Sequence, residues 1–426
     1  MPHTPLTSEA PLMLWPVAVT PSSTWTNWVG NQTFAPRTIA RPATEAAAIE
    51  LVQRAVAERS SVRVAAGGHS VTPIVQTGGL LLDLSQLSGV VSVDVGRRRV
   101  TVLSGTTVGA LGEPLGEAKL AFANQGDIDT QQIAGAVATA THGSGIGLPS
   151  FSGTVRGVRL VTGTGDVLGI DDGRPELLRA AQVAIGTLGV MTRVELEVVP
   201  AYRLRERIEQ RPYAEVMESF DELVAAHRHF SFFWLPSEES AALYGLATPE
   251  GKRLADTCFV KIYDEAAPGE PDEHTPGRRV DRAYRIYPAE FEPNFHELEY
   301  FVPIELGRDA VEAMRSLMLD RLPDSIFPME VRTTAADEGM LSPFYRRDSA
   351  VISVSGMPGT AYDGYLRAVD TTLAQFNARV HWGKLHYLTR ERLDALYPEA
   401  ETFRRLRREL DAEGLFLNDH LRPLFA

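Results

Sequence analysis

Cysteine is almost missing from this chain of 426 residues: Cys258 stands alone. That excludes an internal disulfide and any cysteine-rich zinc or iron–sulfur centre, and it suits a reducing compartment. Positive charge is also short. Lys and Arg number 42 against 55 Asp and Glu, a formal net charge of −13, which argues against nucleic acid as the main partner. No apolar run approaches the roughly 20 residues that cross a bilayer, so no membrane partner is expected. The stretch from Pro11 to Val19 is apolar, but it is broken by Pro16 and preceded by no Lys or Arg, unlike a secretory signal. Residues 1–23 are therefore read as a disordered N-terminal extension, and the protein as cytoplasmic.

Two motifs are missing as well. No G-x-G-x-x-G opens a helix after a strand, and GSGIG at 143–147 has the wrong spacing for a nicotinamide site. His227 with His229, and His381 with His386, are not joined by H-E-x-x-H, so no metal site is expected.

What remains is an ordinary globular composition, 44% hydrophobic and 23% charged, over a length that calls for two domains or more. Residues 44–59 predict an amphipathic helix with Thr44 as its N-cap. The alternating runs at 90–103 and 155–170 predict two hairpins, and 192–199 a further strand. Thr107 to Leu120 reads as helical. Hairpins mixed with crossover helices make the first 200 residues α+β and not a regular βαβ array. Beyond Pro200, helices are expected at 214–229, 308–320 and 362–377, with a short aromatic strand at 231–234. The Pro- and charge-rich passage between Glu265 and Asp281 is expected to be a surface loop.

Four glycine-bearing segments and one charged strand carry chemistry. In SVRVAAGGHS (61–70) a short strand ends in Gly67 and Gly68, whose backbone freedom suits an anion-holding turn, with His69 at its lip. The same turn has a plain reading, as a turn only. GDIDTQQIAGAVATATHGSGIG (126–147) is rich in Gly and Ala, and lets a flat ligand approach the backbone; a tightly packed small-residue helix is the alternative. IGTLGV (185–190) offers further glycine backbone. In HWGK (381–384), read as extended, His381 and Gly383 face one way and Trp382 and Lys384 the other. In PMEVRTT (328–334), Glu330 and Arg332 share one strand face; with Lys384 they are suited to a hydroxylated substrate, or else they form an exposed ion pair contributing little.

In this order and combination, AAGGHS, GDID…THGSG, IGTLGV and HWGK resemble the aldonolactone oxidase and alditol oxidase group of vanillyl-alcohol-oxidase-type flavoproteins. The likeness runs from NWVGN (27–31) to FLNDH (416–420), and its wording is nearer the L-gulono- and D-arabinono-1,4-lactone oxidases than the polyol branch. It implies an α+β fold: a two-subdomain FAD-binding domain of the PCMH type at 24–200, a cap domain at 201–378 with a large antiparallel sheet flanked by helices, and a segment at 379–426 returning to the flavin domain. FAD is the implied cofactor, attached covalently through His69. The positions Val64, Ala65, Ala66, Gly67, Gly68, His69 and Ser70 match the pyrophosphate loop. Gly126, Asp127, Gln132, Gly135, Thr139, Ala140, Thr141 and His142 match the second flavin segment, Val190 the third, and His381 lies near the ring. Glu330, Arg332, Ser355, Lys384 and Asp127 match substrate-side positions, where polyol oxidases carry serine for Asp127 and threonine for Ser355. The resemblance implies hydride transfer from a sugar lactone, or alternatively an alditol, to flavin. Lys384, Arg332 and Glu330 would be catalytic, and Gly126 favours molecular oxygen as acceptor over another electron carrier. Oligomeric state is left open.

Overall fold

The computed structural model describes residues 18–21, 23–292 and 294–426. Most of the expected disordered extension, 1–17 and 22, lies outside them. Residues 18–21 correct that expectation: they form strand β1 (Ala18–Pro21), which pairs antiparallel with β2 (Thr38–Arg41) and satisfies its outer edge.

Two larger sheets build most of the first half, beside two short two-stranded ones. β3 (Val62–Ala65) and β4 (Leu80–Asp83) complete a four-stranded sheet of order β1-β2-β4-β3, in which β4 runs parallel to both neighbours. The helix Glu45–Ala57 makes the crossover from β2 to β3; the Thr44 hydroxyl accepts from the Ala47 N–H, and Ala48, Val52 and Ala55 turn inward. The second sheet holds the two predicted hairpins, β5 (Val90–Asp94) with β6 (Arg99–Leu103) and β7 (Val155–Val161) with β8 (Val167–Asp171). The predicted strand β9 (Val190–Glu197) lies between them, in the order β8-β7-β9-β6-β5. Where a helix over 107–120 was expected, a 3-10 turn leads into the short helix Gly112–Glu117; Gly112, Pro114 and Gly116 keep it short.

The second half is one antiparallel sheet of eight strands. These are β10 (Arg203–Pro212), β11 (His229–Leu235), β12 (Thr257–Glu265), β13 (Val280–Arg282), β14 (His296–Pro303), β15 (Met329–Thr334), β16 (Ser349–Gly356) and β17 (Arg379–Val380), ordered β13-β10-β12-β11-β15-β16-β14-β17. The helices Gly307–Arg321 and Asp363–Ala374 pack on it. The loop expected between Glu265 and Asp281 connects β12 to β13.

The chain then turns back. The Val62 N–H bonds Leu415 O and Gly163 N–H bonds Leu410 O, so residues 410–416 lie along the first two sheets. Arg63 fixes this return: fully buried, its guanidinium donates to the carbonyls of Ile74 (2.7 Å), Ile185 (2.8 Å), Gly186 (2.9 Å) and Phe416 (2.5 Å). No helix among the described residues is long and apolar enough to cross a membrane.

Candidate active site

A single open-mouthed cavity of about 1690 Å3, mouth included, runs between the two halves, and all four chemical segments reach it. β3 delivers the chain into the 66–70 turn, where Gly68 has φ +70°. A Cβ on Gly67 would stand 2.9 Å from His69 Nδ1, so only glycine lets that ring fold back over the turn. The ring packs beside Trp28 at 5.2 Å. His69 Nε2 lies 3.2 Å from the Thr130 hydroxyl, while Nδ1 is buried and unpartnered. Burial, helped by the nearby Lys384 ammonium, pulls the imidazole down to about 4, so it is neutral at pH 7.

The second segment meets the first at Gly135, where a Cβ would come within 3.0 Å of Ala66 Cβ. Gly126, Asp127, Gln132, Thr139, Thr141 and His142 all line the cavity, with the short helix Ile133–Ala138 between them. From the third segment Ile185, Gly186 and Gly189 line it, joined by Met191 just beyond. Val190 does not: its side chain is fully buried between the two sheets, among Val52, Leu82 and Phe416. Ala65 and Ala140 likewise sit in the core and not at the wall, because each side chain packs inward among apolar neighbours.

The fourth segment departs from its expected geometry. HWGK is a turn, closed by the Lys384 N–H on His381 O at 3.0 Å. His381, Gly383 and Lys384 therefore share the cavity wall, and Trp382 alone faces away, its indole N–H on Leu341 O at 2.7 Å. Burial brings the His381 imidazole down to about 3, and its Nδ1 accepts the Gly383 N–H.

The opposite wall is the eight-stranded sheet. Glu330 and Arg332 project from one face of β15, as their spacing predicts, but they are not an exposed pair. Neighbouring β11 and β16 enclose them, leaving their side chains 12% and 15% exposed. Arg332 Nη2 bridges Glu330 (2.9 Å) and Glu299 (2.5 Å), and Glu299 also receives His142 Nε2 at 3.1 Å. Burial raises the Glu299 carboxyl, but Arg332 and His142 outweigh it and hold the group well below the usual carboxylate range. Glu330 has the opposite balance: burial dominates the pull of Arg332 and lifts it to about 7. Lys384 Nζ is held by Glu297, whose other oxygen accepts from Ser353. Asp127 Oδ2 takes Lys261 Nζ at 2.7 Å, and that attraction outweighs burial, raising the ammonium and keeping it charged.

Ser355 is the one expected substrate-side position that does not reach the cavity wall. Buried to 2%, its hydroxyl lies 2.6 Å from the Tyr244 hydroxyl, and Tyr244 stands at the wall in its place. Glu297, Glu299, Lys261, Tyr244, Trp28 and Arg63 escaped the sequence reading. HELEYF (296–301) does carry a usable signal: Glu297 and Glu299 alternate along one strand as Glu330 and Arg332 do. Tyr244, on a loop, has none.

The residues present suit a flavin nucleotide. A buried, orphaned nucleophilic nitrogen, glycines whose Cβ atoms would collide, and a charged wall opposite them meet in one cavity. The FAD binding domain description matches residues 36–171, and the D-arabinono-1,4-lactone oxidase description matches 194–265 and 272–424. The chain belongs to the D-arabinono-1,4-lactone oxidase family. Within this family setting, it is 35% identical over 424 residues to the L-gulono-1,4-lactone dehydrogenase of Mycobacterium tuberculosis, covering 94% of this chain and 99% of that one. The alditol oxidase of a Streptomyces species is 31% identical, over 95% of this chain and 99% of that one. The L-gulonolactone oxidase of Bos taurus is 26% identical, over 94% and 97%. Cholesterol oxidase from B. sterolicum superposes with a TM-score of 0.82 over 98% of this chain and all of that one at 15% identity, which establishes the shared fold.

Proposed function

We propose that this protein oxidises a sugar-derived aldono-1,4-lactone of the L-gulono or D-arabinono type, with FAD as cofactor. One observation carries the reading: the four glycine-bearing segments, the last of them bringing Lys384, and the sheet face that carries Glu330 and Arg332 line the same cavity. Bound FAD supplies the acceptor for the substrate hydride. The protein's own groups manage binding and the proton. Lys384 and Arg332 hold the negative charge that develops on the substrate oxygen as its hydroxyl proton leaves, before the C–H hydride departs and the carbonyl forms. Glu330, with a carboxyl near neutrality, accepts the hydroxyl proton. Asp127, pinned by Lys261, accepts a hydrogen bond from another substrate hydroxyl. A panel of aldonolactones and alditols, screened for substrate-dependent bleaching of the flavin band, tests this; bleaching by none of the lactones refutes it.

Because the carboxylate of Glu330 is the working form, turnover is expected to rise with pH through about 7 and then level off. Glu330→Gln is expected to lose most activity and to flatten what remains across that range. A residual profile that still rises near neutrality would assign the limb to another group.

His69 is the proposed point of covalent attachment, through the Nδ1 that has no other partner. Acid-precipitated wild-type protein is expected to keep its yellow colour in the pellet, and His69→Ala to release it to the supernatant. Colour in the wild-type supernatant would leave His69 as a contact only.

Molecular oxygen is the proposed electron acceptor, because Gly126 places no side chain at the cavity wall. An oxygen-electrode trace during lactone turnover tests it; the absence of uptake, with activity kept by an artificial acceptor, reverses it. The Gly126 backbone also serves packing, since a Cβ there would stand 3.0 Å from His142 O. A cytoplasmic site of action fits the buried thiol of Cys258.

A further inference from the structure

The cavity wall around Glu330 has two characters. One side is the charged sheet face described above. The other is aromatic: Tyr244 lies among Phe233, Phe291, Phe295 and Phe327, with ring centroids 5.2–6.1 Å away. Phe233, Phe291 and Phe295 line the cavity together with Tyr244. Tyr244 follows the short helix Ser240–Leu243 and is anchored at its far end, its hydroxyl on Ser355 Oγ. Ser355 is the register partner of Glu297, the residue that holds Lys384, so this ring abuts the catalytic wall. Without the Tyr244 ring, the Ser355 hydroxyl would face that space.

From this we infer that Tyr244 is a specificity-determining residue that presents a dry ring face to the substrate and so selects a closed lactone ring over an open-chain polyol. The inference rests on the lactone reading above. An aromatic face carries partial negative charge and attracts the polarised C–H groups of a ring lying flat on it. A lactone ring has such a C–H face and one hydroxylated edge, matching the aromatic and charged sides. An open-chain polyol carries a hydroxyl on every carbon, and against this wall some of them lose their water without a replacement partner. The ring also occupies the place where the Ser355 hydroxyl would have met them.

The test compares L-gulono-1,4-lactone with sorbitol, a straight-chain alditol of the same carbon number, in wild type, Tyr244→Phe, Tyr244→Leu and Tyr244→Ala. Flavin absorbance per chain is read first, as the measure of an intact fold. Tyr244→Phe keeps the ring face and is expected to hold the lactone-to-alditol ratio of kcat/KM within about threefold of wild type. Tyr244→Leu and Tyr244→Ala are expected to lower that ratio by about tenfold or more, chiefly through the lactone KM. Should Tyr244→Ala lose its flavin, Tyr244→Leu, which fills similar apolar space, carries the test. An unchanged ratio in flavin-replete Tyr244→Leu overturns the inference, as does a loss in Tyr244→Phe equal to that in Tyr244→Leu. Wild-type protein that oxidises no lactone instead overturns the proposed function, so the two failures are distinguishable.

Discussion

Replacing Lys384 by alanine is expected to lower kcat by about 10²–10³-fold, the usual cost of removing one donor to a developing oxyanion. Bound flavin per chain should stay at the wild-type level, because Lys384 faces the sheet wall and its ammonium is held by Glu297. Two effects are mixed in this substitution. It removes a cation from the cavity, and it leaves Glu297, 8% exposed at its side chain, without that partner. A double variant, Lys384→Met with Glu297→Gln, separates them: it removes the pair without leaving an isolated charge. If the double variant recovers turnover, the loss came from the orphaned carboxylate; if it stays slow, the ammonium acts in the reaction. Normal turnover in Lys384→Ala would remove Lys384 from the mechanism.

The largest effect on folding is expected at Arg63. Its guanidinium is paired with four main-chain carbonyls, and burial pulls it down to about 10. Methionine fills a similar length of cavity but leaves those carbonyls unpaired, at about 1–3 kcal/mol each where water cannot reach them. The sum rivals the roughly 5–15 kcal/mol that holds a typical domain together. Arg63→Met should therefore melt at a markedly lower temperature and purify with less flavin. Arg367→Met is the matched control: its bond to Asp363 is exposed on both sides, and its loss is expected to cost under about 1 kcal/mol. Equal melting of the two variants would mean that the flavin segments are held together by other contacts.

Arg63 also illustrates what could be read from the chain alone and what could not. Local patterns were legible: the alternation at 90–103 and 155–170 yields hairpins, Thr44 caps its helix, and the glycine bends fall where backbone approaches backbone. In SVRV, however, Arg63 is only the polar residue between Val62 and Val64 of a short strand. Its burial is decided by Phe416, 353 positions away. Glu330 and Arg332 share a face as their spacing demands, yet that spacing says nothing of the strands that enclose them. The extended reading of HWGK failed because one short-range hydrogen bond bends it into a turn. Ser355 was displaced from the cavity by Tyr244, whose loop has no periodicity to betray it.

The C-terminal tail that bonds back to residues 62–76 also bears on the order in which this protein can mature. β3 and the residues that follow it leave the ribosome early, but the partners of Val62, Arg63, Val71 and Pro73, at Leu415, Phe416, Gly383 and Asn418, are synthesised more than 300 positions later. At about 5–20 residues per second, that interval is on the order of 15–60 seconds. Through it the nascent N-terminal half waits without those partners, so flavin uptake is expected only after the C-terminal residues have been made.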